Sequence, residues 1–90
     1  MQTRAHILVK GVVQGVGFRY FVYSRAAQYN LGGYVINLPS GDVEIVAEGE
    51  RSSIEQLIVD VKVGPRSSGV SNVMIDWAKP QGTPASFEIR

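Results

Sequence analysis

The sequence predicts an α+β domain in which two helices cover one face of a mostly antiparallel five-stranded sheet. Three observations carry this expectation. Apolar spacing switches between strand-like and helix-like periods in the order strand, helix, strand, strand, helix, strand, with a short strand appended. Glycine, proline and serine punctuate most of the switches. Strand–helix–strand crossovers are normally right-handed, which leaves few topologies, and the one that fits is a ferredoxin-like βαββαβ sandwich with an extra short C-terminal strand.

Residues 4–13 are rich in Ile, Leu and Val and read as a buried central strand. From 18 to 29, Phe18, Phe21, Val22, Ala26 and Tyr29 recur at three- and four-residue spacing, one face of a helix. Gly32 and Gly33 are expected to end it. Residues 34–38 alternate, with Tyr34, Ile36 and Leu38 on one side and Val35 and Asn37 on the other. Pro39-Ser40-Gly41 is turn chemistry. Val43, Ile45 and Ala47 then alternate against Glu44, Val46 and Glu48, so the two segments form a hairpin. The acids on that side predict a sheet face at least partly open to water.

Ser52 with Glu55 and Ser53 with Gln56 are two overlapping capping boxes, the expected start of a second helix. Ile54, Leu57, Ile58 and Val61 give its apolar stripe, and Gly64-Pro65 stops it. Val73, Ile75 and Trp77 alternate with Met74, Asp76 and Ala78 in a further strand, 79–85 reads as a loop, and Phe87 and Ile89 form a short last strand.

Composition bounds the function. Residues 1–90 make a single small domain, and a hydrophobic fraction of 44% is sufficient for one core. There is no cysteine, which removes disulfides and thiolate chemistry, and the single histidine, His6, rules out a multi-histidine metal cluster. His6 is expected at a surface or edge position. No metal or cofactor is expected. No apolar run reaches the length of a membrane span and no signal peptide is recognisable, so the expectation is a cytoplasmic monomer with no membrane association. Residues 1–41 carry four basic side chains and no acid, whereas residues 42–90 carry five basic and eight acidic ones. The basic segment suits a small anionic ligand, and its charges are too few and too dispersed for nucleic acid.

That basic segment holds the run Gly11-Val12-Val13-Gln14-Gly15-Val16-Gly17-Phe18-Arg19. Glycines let successive backbone N–H groups converge into a concave nest for an anion. The helix start behind them adds unpaired N–H groups and the positive end of the helix dipole. Arg19 supplies a planar, permanently charged fork that matches a phosphoryl group.

This run resembles the signature of the acylphosphatase family, written G-x-V-Q-G-V-x-F-R. A second family signature, Gly-aromatic-Val-x-Asn running into a turn with Gly, is matched by Gly33-Tyr34-Val35-Ile36-Asn37 and Gly41. Val43-Glu44, Gly49, Gly64-Pro65 and Phe87-Glu88-Ile89 fit the rest of the pattern, so the resemblance covers nearly the whole chain. It implies hydrolysis of acyl phosphates to a carboxylate and phosphate without a cofactor. It implies that the loop amides from Gln14 through Gly15, Val16, Gly17 and Phe18 to Arg19 hold the phosphoryl oxygens with the Arg19 guanidinium. It also implies that Asn37 orients the attacking water, and that phosphate or sulfate can occupy the loop. Two departures, Arg66-Ser67-Ser68-Gly69 before the fourth strand and a last residue Arg90 that is not aromatic, touch packing and the C-terminal edge.

Each of these residues also has a plainer role. The glycines can be a tight turn, Arg19 a carboxylate partner, and Asn37 the lead into the turn at Pro39. Gln14 is as much a brace for the loop as a substrate contact. Tyr20, Tyr23 and Trp77 read as packing and surface aromatics. Two other functions compete with the enzyme. One is a non-catalytic acyl- or carbamoyl-phosphate-binding regulatory module, like the domains at the front of hydrogenase-maturation proteins; the absence of anything after the domain favours the stand-alone enzyme. The other is an RNA-binding domain of the same fold. The aromatic run 17–23 falls on a helix, however, and not on the exposed strand that RNA recognition needs.

Overall fold

A computed structural model describes residues 1–82 and 86–90. The chain runs β1 (Gln2–Val12), α1 (Phe18–Gln28), β2 (Gly32–Asn37), β3 (Val43–Glu50), α2 (Arg51–Val63), β4 (Gly69–Ala78) and β5 (Phe87–Ile89). The strands form one sheet in the order β4-β1-β3-β2-β5. All neighbours are antiparallel except β2 and β5, which run parallel. This is the expected two-helix sandwich with its added fifth strand.

Alternation decides the layers. Ala5, Ile7 and Val9 of β1, Val35 of β2, and Val43, Ile45 and Ala47 of β3 are fully buried beneath the helices. Phe18, Val22 and Ala26 of α1 and Ile54, Leu57, Ile58 and Val61 of α2 close the core from above. The opposite sheet face is polar and half wet. Arg4 pairs there with Glu48 at 3.1 Å, His6 with Glu44 at 2.9 Å and Lys10 with Asp42 at 2.8 Å. His6 is therefore a surface residue on a central strand, with no edge position.

Several boundaries differ from the sequence reading. Helix α1 is not ended by Gly32 and Gly33. Asn30 takes the left-handed conformation (φ 58°), the Asn30 amide donates to Ala27 O (3.2 Å) and the Leu31 amide to Ala26 O (2.9 Å). That is a Schellman closure built on asparagine, the non-glycine residue that best tolerates this geometry. The glycines belong to β2, where a Cβ on Gly33 would fall 1.8 Å from the Val46 carbonyl oxygen. A close backbone approach, not a helix stop, is what requires glycine there.

Helix α2 does not use its serines. It begins at Arg51 with Glu50 as N-cap and no side-chain cap. β3 stays paired with β1 as far as Glu50, and the Met1 carbonyl accepts the Arg51 amide at 2.9 Å. Glu55 and Gln56 turn instead to Arg51 (3.4 Å) and Asp60 (3.1 Å). Strand β4 starts four residues earlier than its alternation suggests. Lys10 faces Asn72 while Gly11 faces Val70, so Ser71 is an extra residue in a bulge that breaks the period of two. Of the loop expected at 79–85, residues 79–82 carry no regular structure and residues 83–85 lie outside the described residues. Ser68 closes the preceding turn by donating its hydroxyl and amide to Pro65 O (2.7 and 2.9 Å), so the departure at 66–69 is accommodated.

Candidate active site

The connection from β1 to α1 is five residues long, and its shape follows from two glycines. Gly15 and Gly17 both adopt left-handed backbone angles (φ 74° and 77°), and Gly17 is the N-cap of α1 without any side-chain cap. A Cβ at either glycine would meet nothing within 4 Å. Glycine is thus required by backbone angle, and the space above both residues is open. Val16 packs partly buried against the core and Phe18 is 1% exposed, so neither presents a polar or fully exposed side chain. What the loop presents is its amides. Among the described residues, no acceptor takes the N–H groups of residues 14–17, and the helix makes its N-terminal bond from the Phe21 amide to Gly17 O (3.1 Å). Unpaired donors at a helix start are groups that can hold an anion.

Gln14 lies outside the cavity and holds the loop in place. Its side-chain amide donates to Leu38 O (2.8 Å) and Asp42 O (2.9 Å), on either side of the β2–β3 turn. Asp42 is itself held by the Lys10 ammonium, which keeps its carboxyl below the usual carboxylate range; partial burial opposes this and is the smaller effect.

A cavity of about 260 Å³ opens above the loop. Gly15, Gly17, Phe18 and Arg19 line it from the loop and helix start, and Asn37 from the end of β2. Five of the seven residues singled out in the sequence therefore meet around one space, whereas Gln14 and Val16 do not line it. Arg19 is half-buried and donates from Nη1 to the main-chain oxygen of Arg90 at 2.8 Å. The Arg90 amide in turn donates to Val35 O (2.8 Å), which anchors that oxygen to β2. Asn37 contributes a buried Oδ1 with no hydrogen-bond partner among the described residues. A buried acceptor without a partner is costly, and in native proteins it marks a place where water or a ligand bonds.

Three lining residues were not singled out as site residues from the sequence: Val13, Tyr20 and Ile89. Tyr20 follows Arg19 on the helix, but its direction depends on the loop geometry. Ile89 reaches the cavity only because β5 joins the sheet beside β2, which no local pattern reveals.

Comparison with known proteins follows the same lines. The family model described as Acylphosphatase matches residues 5–89. The acylphosphatase of Koribacter versatilis is 47% identical over 98% of this chain and 79% of its own. That of Caldanaerobacter subterraneus is 43% identical over 99% of both. The crystal structure of acylphosphatase from Bacillus subtilis superposes with a TM-score of 0.94 at 37% identity, covering 100% of this chain and 99% of that one. Loop, arginine, asparagine and full-length similarity converge, and the chain belongs to the acylphosphatase family.

Proposed function

We propose that this chain hydrolyses acyl phosphates to a carboxylate and inorganic phosphate, and that its own residues suffice. The observation that carries the reading is the meeting of the glycine loop, Arg19 and Asn37 around one cavity, with loop amides left unpaired and an Asn37 Oδ1 without a partner among the described residues. The phosphoryl oxygens accept from the amides of residues 14–19 and from Arg19. Arg19 keeps further donors for them while one N–H is held by Arg90 O. Charge on the equatorial oxygens is thereby stabilised by dipoles and a cation already in place.

Asn37 orients the nucleophile. Its Oδ1 accepts a hydrogen bond from the attacking water, which aligns an oxygen lone pair with the phosphorus. The P–O bond to the acyl oxygen breaks as the new P–O bond forms. The leaving carboxylate is a stable anion at neutral pH, so no general acid is required. Carboxamides are poor bases, and the water's proton passes to a phosphoryl oxygen of the substrate. Every group in this account comes from one chain, so a monomer is competent, and inorganic phosphate is expected to occupy the same cradle as product.

Hydrolysis of benzoyl phosphate in ¹⁸O-labelled water, with EDTA present, tests the reading. Turnover with the label in phosphate supports attack at phosphorus by the route described. Label in benzoate means attack at the carbonyl and sets the role of Asn37 aside. An inert, folded protein leaves a binding module.

A further inference from the structure

We infer that Lys10 and Asp42 are positioning residues for turnover: their ion pair, outside the cavity, fixes the β2–β3 turn to which Gln14 ties the glycine loop. This rests on the acyl-phosphate reading of the cavity. Of the polar pairs on the open sheet face, Arg4–Glu48 and His6–Glu44 join residues that already belong to the β1–β3 register. Main-chain hydrogen bonds align those strands whatever the side chains do. Lys10–Asp42 is placed differently. The register ends at Val9 and Val43, and Asp42 belongs to the turn, so the 2.8 Å bond from Lys10 Nζ to Asp42 Oδ2 lies past the last backbone pair. Further along, Gly11 and Val12 pair with Val70 and Gly69 of β4.

The segment leaving β1 grips Asp42 at both ends. The Asp42 carboxylate accepts from the Lys10 ammonium, and its main-chain oxygen accepts from Gln14 Nε2 at 2.9 Å. That oxygen also accepts the Leu38 amide (2.9 Å), and Leu38 O accepts the Gly41 amide (3.0 Å) as well as Gln14 Nε2 (2.8 Å). Both acceptors of Gln14 are therefore part of the turn's own bonding, and the loop follows wherever the turn sits. Leu38 and Asp42 directly flank the register pair Asn37–Val43. The distance from glycine loop to Asn37 is thus set at this turn, and a charge-assisted bond holds the turn against β1. Neither Lys10 nor Asp42 lines the cavity, so both act through Gln14 and Asn37.

The test measures kcat and KM for benzoyl phosphate, Ki for inorganic phosphate and the urea midpoint. The proteins are wild type, Lys10→Met, Asp42→Asn, Arg4→Met, Gln14→Ala and the double variant Lys10→Met with Gln14→Ala. Lys10→Met should lower kcat about three- to tenfold with phosphate Ki unchanged, because the cradle is intact and only its distance from Asn37 has changed. Asp42→Asn should act in the same direction. The pair is partly exposed and such pairs add little to stability, so both variants should fold with midpoints near wild type. Arg4→Met breaks a pair inside the ladder and should leave kcat at the wild-type value. In the Gln14→Ala background, Lys10→Met should lower kcat by less than about twofold more, because the link it acts through is already gone. Losses that multiply in the double variant overturn the inference, since the two residues would then act independently. A wild-type kcat in Lys10→Met overturns it too, as does a phosphate Ki that rises while kcat holds, which would make Lys10 a source of field and not of position. Failure of the broader reading looks different: wild type would not turn over benzoyl phosphate, and the inference would fall with it.

Discussion

Gln14 donates its side-chain amide to the carbonyl of Leu38 at 2.8 Å, tying the glycine loop to the residue that follows Asn37. The two halves of the proposed site, the glycine loop and Asn37, lie on different elements, and this bond with its companion to Asp42 O sets their spacing. Gln14→Ala should cost about 1–2 kcal/mol of stability for the lost hydrogen bonds. It should also lower kcat about tenfold or more, since small misplacement of reacting groups is expensive. Gln14→Glu is nearly isosteric yet sets a carboxylate against two carbonyls, so it should be worse than Ala in both urea unfolding and steady-state assays.

Gly15→Ala and Gly17→Ala test whether backbone angle alone requires the glycines. Neither added Cβ meets an atom, so the expected stability loss is the left-handed penalty of about 1–2 kcal/mol. Gly82→Ala is the control, having φ +73°, no atom of the described residues within 4 Å of an added Cβ, and no place in the cavity lining. All three should lower the unfolding midpoint by similar amounts in denaturant titration. The two loop variants should in addition lose at least about tenfold in kcat/KM, because re-aiming one amide weakens the cradle.

Much of this was legible beforehand. Residue order fixed the sandwich, because alternating and helical periods in β1, α1, β3 and α2 are driven by burial of Ile7, Val22, Ile45 and Leu57 in one core. That the glycine loop, Arg19 and Asn37 would share one cavity was legible because the two signatures set residue type at fixed spacing. Features that depend on tertiary pairing were not. Asn30 replaced the glycines as helix stop because Gly33 was needed under Val46 O. Met1 O displaced the serine caps of α2 because β1 pairs to the very end of β3. Ile89 comes to line the same cavity as Tyr20 only through the parallel β2–β5 pairing.

The proton route predicts a flat pH profile. His6, the only histidine, sits on the far sheet face against Glu44 and does not line the cavity. With a substrate oxygen taking the water's proton, kcat for benzoyl phosphate should show no protein-borne titration between about pH 5 and 8. A clear inflection that persists across substrates and vanishes in one side-chain variant would contradict the route.

Acid should loosen the helix layer before it affects the loop amides. The Asp60 carboxylate accepts from Tyr29, Gln56 (3.1 Å) and Arg25 (3.2 Å), joining α1 to α2. Burial alone would raise its pKa, but the bonds from Tyr29, Gln56 and Arg25 outweigh that and hold it below the ordinary aspartate value. A carboxyl depressed in the folded state contributes stability in full above its unfolded pKa of about 3.9 and loses it as pH falls through the lower folded value. Urea unfolding should therefore show wild-type stability declining below about pH 4. Asp60→Asn should be less stable by about 1–3 kcal/mol at pH 7 and should decline less steeply in acid.

The division of labour between Arg19 and Asn37 is the central claim, and separating binding from turnover tests it most directly. The measurement is benzoyl phosphate hydrolysis and inhibition by inorganic phosphate in wild type, Arg19→Ala and Asn37→Ala, each shown to be folded. Arg19→Ala should lose both, with kcat/KM down at least about 100-fold and phosphate no longer inhibiting. Asn37→Ala should keep phosphate inhibition near the wild-type Ki while kcat falls by at least about 100-fold, because only the water has lost its partner. An Asn37→Ala enzyme that turns over at the wild-type rate, or that loses phosphate binding as Arg19→Ala does, would contradict the account.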